Sequence, residues 1–290
     1  MTGMVGVIGG SGLYELEGLV EETWVEVDTP WGPPSDALLT GRLGDTPVAF
    51  LPRHGRGHRL PPSDVPYRAN IDALKRVGVT QVISVSACGS LREEMEPGHF
   101  VLVDQFIDRT VNRVKSFFGP GLVAHVSMAE PVCPRLHAEL AHAAMLAEIP
   151  YHTKGTYLAM EGPQFSTLAE SKMYRAQWGA DVIGMTNMPE AKLAREAELC
   201  YATVAMVTDF DSWHPDHGEV DIQAILETMR ANTRQARRLL ANVIPRIGTD
   251  GPCPYGCDRA LEHAIITAPE VRDPALVAKL DIVAGRVLGV

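Results

Sequence analysis

Apolar and polar positions divide the chain into short runs of buried-strand character separated by stretches with helical spacing. Met4 to Ile8, Val48 to Leu51, Val79 to Val85, Phe100 to Val103, Tyr157 to Met160, Asp181 to Met185 and Tyr201 to Val207 read as strands, and the last two are β-branched enough to be buried ones. Trp24 to Asp28 alternates like a half-buried strand. Helical spacing marks Pro66 to Val77, Arg135 to Ala147, Thr167 to Trp178, Pro189 to Leu199 and, longest of all, Asp221 to Val243. Asp108 to His125 is mixed, aromatic and turn-rich, an excursion from the core that suits a lid or a subunit contact. Strands interleaved with helices predict an α/β fold. Beyond Pro245 the composition shifts to a turn-like segment, Thr249 to Cys257, followed by a helical tail. The expected division is therefore a main domain over 1–248 and an extension over 249–290 packed on the same domain.

Several of the strand runs end in small or polar clusters. These are Gly9-Gly10-Ser11-Gly12, Arg53-His54, Ser86-Ala87-Cys88-Gly89-Ser90, Thr186-Asn187 and Thr208 to Asp211. In an open α/β sheet, ligands bind outside the carboxyl ends of the strands, so these clusters are the candidate site. The first suggests a dinucleotide fold, with Asp28 as the ribose-binding acid. Its glycine spacing fails, because Glu15 stands where a third glycine belongs. His54 and His58 are four apart, but their glycine-rich setting is a poor helix and no acidic ligand adjoins them. A metal hydrolase using His54, His58, His214 and His217 is the corresponding alternative. His214-Pro-Asp-His217 reads more simply as a mobile polar loop over the site.

Composition narrows the partners. With 290 residues, 46% of them hydrophobic, there is ample material for a core. A net charge of −10 argues against a nucleic-acid partner, so any anion must be held by a few local donors. No apolar run approaches the roughly 18 residues that span a membrane. The amino terminus runs directly into a strand with no signal-peptide pattern, so a cytoplasmic location is expected. Cys88, Cys133 and Cys200 read as small buried residues, and the isolated Cys253-x3-Cys257 pair as two inert thiols. No metal site is expected.

The clusters share a chemistry. Ser11, Arg53, His54, Ser86, Ala87 and Thr186 offer hydroxyl, guanidinium, imidazole and backbone donors for an oxyanion. Phe165 offers a ring face to a planar group. Asp209 and Asp211 end a strand two residues apart, where each raises the other's proton affinity and one can hold a proton for a ring nitrogen. These residues describe an anion site beside a planar-ligand site, without naming the ligand.

In order along the chain stand Gly9-Gly-Ser-Gly-Leu13, Arg53-His-Gly-Arg-Gly-His58, Ser86-Ala-Cys-Gly-Ser-Leu91, Met128-Ala-Glu-Pro131, Glu161-Gly-Pro-Gln-Phe165, Trp178-Gly-Ala-Asp181, Met185-Thr186 through Pro189-Glu190, and Thr208-Asp-Phe-Asp211. This set resembles the trimeric purine nucleoside phosphorylase family, and within it the methylthioadenosine branch, over about Val5 to Ile247. The resemblance implies a single-domain mixed β-sheet flanked by helices, a homotrimer, and phosphorolysis of 5′-methylthioadenosine to adenine and 5-methylthioribose 1-phosphate. Inorganic phosphate would be a co-substrate, with no organic cofactor. Carried over by motif, Ser11, Arg53, His54, Ser86, Ala87 and Thr186 would bind phosphate. Met185 would pack beneath the ribose, Phe165 and Ser166 would adjoin the base, and Asp209 and Asp211 would face N7 and the amino group. Ile222, Ile225 and Leu226 would wall the methylthio group, and His125 would reach the ligand of a neighbouring subunit. The resemblance further implies that 6-oxopurine enzymes carry Asn where Asp209 stands. The alternatives are a broader purine nucleoside phosphorylase acting on adenosine, inosine or methylthioinosine, and a non-catalytic nucleoside-binding protein.

Overall fold

The computed structural model describes residues 3–10, 12–215, 222–248 and 251–290, the side chains of Ile222 and Ala224 excepted. The chain runs β1 (Met4–Gly9), β2 (Leu19–Val25), β3 (Leu38–Leu43), β4 (Thr46–Pro52), α1 (Tyr67–Arg76), β5 (Val79–Ser90), β6 (Phe100–Val103) and β7 (Gln105–Asp108). It continues through α2 (Pro134–Leu146), β8 (Tyr151–His152), β9 (Thr156–Ala159), α3 (Leu168–Ala176), β10 (Val182–Gly184), α4 (Asn187–Glu196), β11 (Cys200–Asp209), α5 (Ile222–Val243), α6 (Pro274–Lys279) and α7 (Asp281–Leu288). The mixed sheet flanked by helices is as expected. β3 and β7 escaped the pattern reading, and β2 begins earlier than the Trp24 to Asp28 alternation indicated. Its middle residues, Val20 to Trp24, are all exposed, as on a sheet edge, and carry little hydrophobic signal.

The strands form one branched sheet in the order β2-β3-β4-β1-β5-β10-β9-β7, with β11 and β6 joined through β5. β4, β1, β5 and β11 run parallel, which places their carboxyl ends at one side. β5 is the organising strand. β11 pairs with it from Gln81 to Gly89 along one edge. The other edge is shared by two strands: β1 pairs as far as Ser84, and β10 joins antiparallel at Gly89 and Ser90. Between them, Val85 to Cys88 lack a strand partner on that edge among the described residues. A strand edge open inside a protein needs other partners for its backbone groups.

Side chains alternate along β11, and the two faces serve different layers. Tyr201, Ala205 and Val207 pack with α1, α4 and the C-terminal extension through Ile71, Leu74, Leu193, Leu280 and Val283. Cys200, Ala202, Val204 and Met206 pack with α2 and α5 through Leu136, Leu140, Leu239 and Leu240. The extension is bound to the main body by ion pairs as well as by apolar contact. Asp281 meets Arg76 at 2.6 Å, and Arg286 meets Glu198 at 2.7 Å.

Candidate active site

The open stretch of β5 is lined by the residues in which an anion site was expected. Backbone of β4 runs into it, with the Arg53 N–H donating to Gly9 O at 2.9 Å. Arg53 Nη1 donates to Val85 O at 3.0 Å, so this carbonyl faces the gap. Strand alternation puts the Ala87 backbone on the same edge. Since β10 is antiparallel to β5, the chain beyond Gly184 turns back towards Ser86, and Ser86 Oγ donates to Asn187 Oδ1 at 2.9 Å. This brings Thr186 to the gap. Its buried hydroxyl has no hydrogen-bond partner among the described residues, nor has that of Tyr157. An orphaned buried hydroxyl costs about 1–3 kcal/mol, so two of them mark a place where a ligand completes the bonding.

His54 Nδ1 lies 2.9 Å from Leu60 O and must donate to it, because a carbonyl only accepts. Burial, aided by the adjacent Arg53 charge, lowers the ring's pKa to about 4. The neutral ring then presents Nε2 as an acceptor, suited to the O–H of hydrogen phosphate. His58 stacks on it with ring centroids 4.4 Å apart, an aromatic contact rather than a pair of convergent ligands. Ser11 lies outside the described residues.

Arg53 differs from expectation. Its side chain is buried and forms a two-pronged ion pair with Glu190 at 2.8 and 3.1 Å, while Nη2 also donates to Ser84 Oγ at 2.6 Å. With the bond to Val85 O, four of its N–H groups are committed to protein acceptors. Glu190 also accepts from Ser84 Oγ at 2.6 Å and Tyr201 Oη at 2.9 Å. Asn187 Nδ2 donates to Tyr201 Oη and Thr203 Oγ1, at 2.9 and 2.6 Å. This buried polar network forms the wall of the gap and fixes Asn187, and through it Ser86, at its edge.

At the end of β11, Asp209 is held by two donors. Thr208 Oγ1 donates to its Oδ2 at 2.7 Å, and the Asp211 backbone N–H to its Oδ1 at 2.8 Å. Burial pushes the Asp209 carboxyl above its ordinary pKa, opposed by those two bonds. Asp211 is likewise raised by burial, and its Oδ2 has no partner among the described residues. Gly89 leaves room for this pair: a Cβ there would lie 3.0 Å from Asp209 Oδ1 and 3.3 Å from Asp211 Cβ. The acids thus sit directly beyond the open stretch of β5. Ser212 Oγ donates to Ser166 O at 2.9 Å, tying the Glu161 to Ser166 segment to the acid pair. Phe165, in that segment, is 50% exposed.

Met185 follows β10 and packs against Gly162. There φ is +68°, and a Cβ would fall 2.5 Å from the Met185 sulfur. Arg113 holds this corner. Buried in the excursion after β7, it donates to Met185 O at 2.6 Å, Met188 O at 2.8 Å and Glu161 O at 2.7 Å.

Other expected residues come from different elements. His125 is exposed, its backbone N–H donating to Ala264 O at 2.9 Å beside the C-terminal extension. On the first turns of α5, Ile225 is half-buried and Leu226 is 47% exposed; the Ile222 side chain is outside the described set. His214 packs against Phe210 with centroids 4.7 Å apart, and His217 lies outside the described residues. The sequence reading assigned no role to Ser84, Tyr201, Thr203 or Arg113, and named Asn187 and Glu190 only as members of clusters or motifs. The available signal was the presence of hydroxyls and an amide within or beside apolar runs.

The chain is similar to known proteins over nearly its whole length. The chain is 66% identical to the S-methyl-5'-thioadenosine phosphorylase of Cereibacter sphaeroides, covering 99% of both chains. It is 60% identical to that of Bradyrhizobium diazoefficiens, over 98% of both. Among solved structures, a methylthioadenosine phosphorylase from an antarctic soil metagenomic library superposes with a TM-score of 0.91 at 46% identity, covering 98% of this chain and 99% of that one. A variant adenosine/methylthioadenosine phosphorylase of Schistosoma mansoni in complex with methylthioadenosine gives a TM-score of 0.79 at 40% identity, covering 86% and 93%. The model of the phosphorylase superfamily matches residues 4–245, spanning every strand and all the groups around the open edge of β5, and the chain therefore belongs to that superfamily.

Proposed function

We propose that the protein cleaves 5′-methylthioadenosine by phosphorolysis, giving adenine and 5-methylthioribose 1-phosphate. The observation that carries this reading is Asp209: a buried carboxyl of raised proton affinity, held at a strand end immediately beyond the open stretch of β5. The full-length relatives named for this activity support it.

In this reading phosphate occupies the gap at Val85 to Cys88, bound by Ser11, Ser86, the Ala87 backbone, Thr186 and His54. Arg53 acts one step removed, as a positioning residue that holds Ser84 and Val85 directly and is itself held by Glu190. The ribose rests on Met185, the purine lies by Phe165 and Ser166, and Asp209 and Asp211 meet N7 and the 6-amino group. Ile222, Ile225 and Leu226 adjoin the methylthio end. As the C1′–N9 bond breaks, its electron pair passes to the purine and the ribosyl carbon gains positive charge. A proton shared from Asp209 to N7 stabilises the departing base. The phosphate oxygen, placed beneath C1′, stabilises the cation and forms the new C–O bond. The proton adenine gains is balanced by the one hydrogen phosphate gives up. No step calls on an organic cofactor.

The assembly proposed is a homotrimer acting in the cytoplasm, in which the exposed His125 reaches a neighbour's ligand and the half-exposed Phe165 is covered. Among the described residues no helix is long and apolar enough to cross a membrane. Light scattering should give three times the 31.5 kDa chain mass.

The test is base release from methylthioadenosine, methylthioinosine, adenosine and inosine, each with and without phosphate. Adenine release that requires phosphate and is fastest from methylthioadenosine is expected. Faster turnover of inosine or methylthioinosine would overturn the specificity while keeping the phosphate site. No release from any of the four would leave a nucleoside-binding protein.

A further inference from the structure

Four of the five cysteines in the chain converge at the end of the sheet opposite the acid pair. Cys133 immediately precedes α2, and Cys200 is the first residue of β11. Cys253 and Cys257 come from the C-terminal extension, where Gly256, at φ +69°, donates its N–H to Cys253 O at 2.9 Å. That turn reverses the chain and sets the two thiols of the Cys-x3-Cys pair side by side. All four are buried, and their sulfurs lie within 4.8 Å of one another.

We propose that Cys133, Cys200, Cys253 and Cys257 form a tetrahedral thiolate site for a single zinc ion, which fastens the C-terminal extension to the sheet. With metal–sulfur bonds of about 2.3 Å, a regular tetrahedron has sulfur–sulfur edges of about 3.8 Å. The Cys133 and Cys253 sulfurs are 3.8 Å apart. A set this tight has room for one ion and none for a cluster of several irons. Four soft thiolates in a closed set select zinc and leave no open position for chemistry, as in structural sites.

The surroundings suit the charge. Four thiolates around a divalent ion leave a net charge of about −2. Arg135 Nη2 lies 3.9 Å from the Cys200 sulfur, and Cys133 stands at the positive end of α2. Access is also present. A cavity of about 380 Å³ lined by Arg135, Cys200 and Cys253 lies to one side, and another of about 380 Å³ lined by Pro134, Tyr255 and Cys257 to the other. The metal-free expectation weighed Cys253 and Cys257 as an isolated pair, apart from Cys133 and Cys200. Their partners stand 120 and 53 residues upstream of Cys253 and could not be assigned by spacing.

The first experiment is elemental analysis of the full-length protein purified under reducing, chelator-free conditions, and again after incubation with zinc and desalting. About one zinc per chain is expected in both, falling to background in Cys257→Ser and retained in Cys88→Ala. Cobalt reconstitution of the stripped wild-type protein, which needs no variant, should give the intense visible bands of tetrahedral cobalt–thiolate. The stripped protein should also lose its C-terminal extension to protease faster than the zinc-loaded form. Absence of zinc in the loaded wild-type protein, iron in its place, or thiol titration showing two disulfides in the anaerobically isolated chain would overturn the proposal. None of these readouts depends on turnover, so they stand or fall apart from the phosphorolysis assay.

Discussion

At its carboxyl end β11 brings Asp209 to a place where the Thr186 hydroxyl and Asp211 Oδ2 are buried without a partner among the described residues. At its amino end, about 30 Å away along the strand, it brings Cys200 into a set of four sulfurs that lie within 4.8 Å of one another. The same strand thus serves one region that is polar and incomplete and another that is sulfur-rich and enclosed. Unsatisfied hydrogen-bonding atoms mark a place that exchanges its ligand at every turnover. A closed tetrahedron marks one that keeps it. Burial alone does not separate the two, since both are nearly dry; the bonding left open does.

The largest effect should come from breaking the wall of the polar region. Arg53→Met leaves Glu190 buried without its cation and should cost about 3–5 kcal/mol of stability by urea unfolding. Arg53→Met combined with Glu190→Leu should recover part of that loss. If the double variant is no more stable than the single one, the ion pair is not what the network depends on.

Next is Asp209→Asn, expected to lower phosphorolysis of methylthioadenosine by roughly 10²-fold, in line with removal of a general acid. Relative turnover of 6-oxopurine nucleosides should rise. Retained activity and selectivity would take Asp209 out of the reaction.

Thr186→Val sharpens the comparison. It removes an orphaned hydroxyl, so the phosphate-free protein should be as stable as the parent or slightly more so. Phosphate binding should weaken roughly tenfold, the worth of one hydrogen bond of about 1–1.5 kcal/mol. Calorimetry of phosphate binding and thermal unfolding in phosphate-free buffer read the two effects separately, and losses in both would make Thr186 a structural residue.

A pH dependence probes the same region without touching the acid pair. His54 titrates at about 4 in the folded protein against the ordinary 6.5. Between these values the unfolded chain binds the extra proton, so stability rises with pH across the window and is lost as pH falls from about 6.5 towards 4. His54→Asn should flatten that part of the profile, measured as urea midpoints at about pH 7 and pH 4.5. An unchanged slope would mean that His54 is not held neutral.

Much of the fold was legible because buried parallel strands carry continuous apolar runs. β5 and β11 stand out in this way, and their polar ends pointed to Ser86, Ala87 and Asp209. β3 did not stand out, since Leu38 to Leu43 is short and interrupted by Gly41 and Arg42. Arg53 was legible as a residue near the anion but not as half of an ion pair, because Glu190 lies 137 positions away. The thiol set was hidden for the same reason, its members coming from three separate segments. Local pattern shows which residues end a strand; only the assembled sheet shows which of them already have partners.

The alternation of β11 has one more consequence. Cys200 belongs to the face shared with α2 and α5, and Tyr201 to the face of the buried network, so sliding the strand by one residue would exchange them. Such a slip would also carry Asp209 away from Gly89. A strand gripped by sulfur at its first residue and by α5 near its last, where Asn232 Nδ2 donates to Val207 O at 2.8 Å, has its register clamped at both ends, and the distant cysteines thereby help set where the Asp209 carboxyl stands.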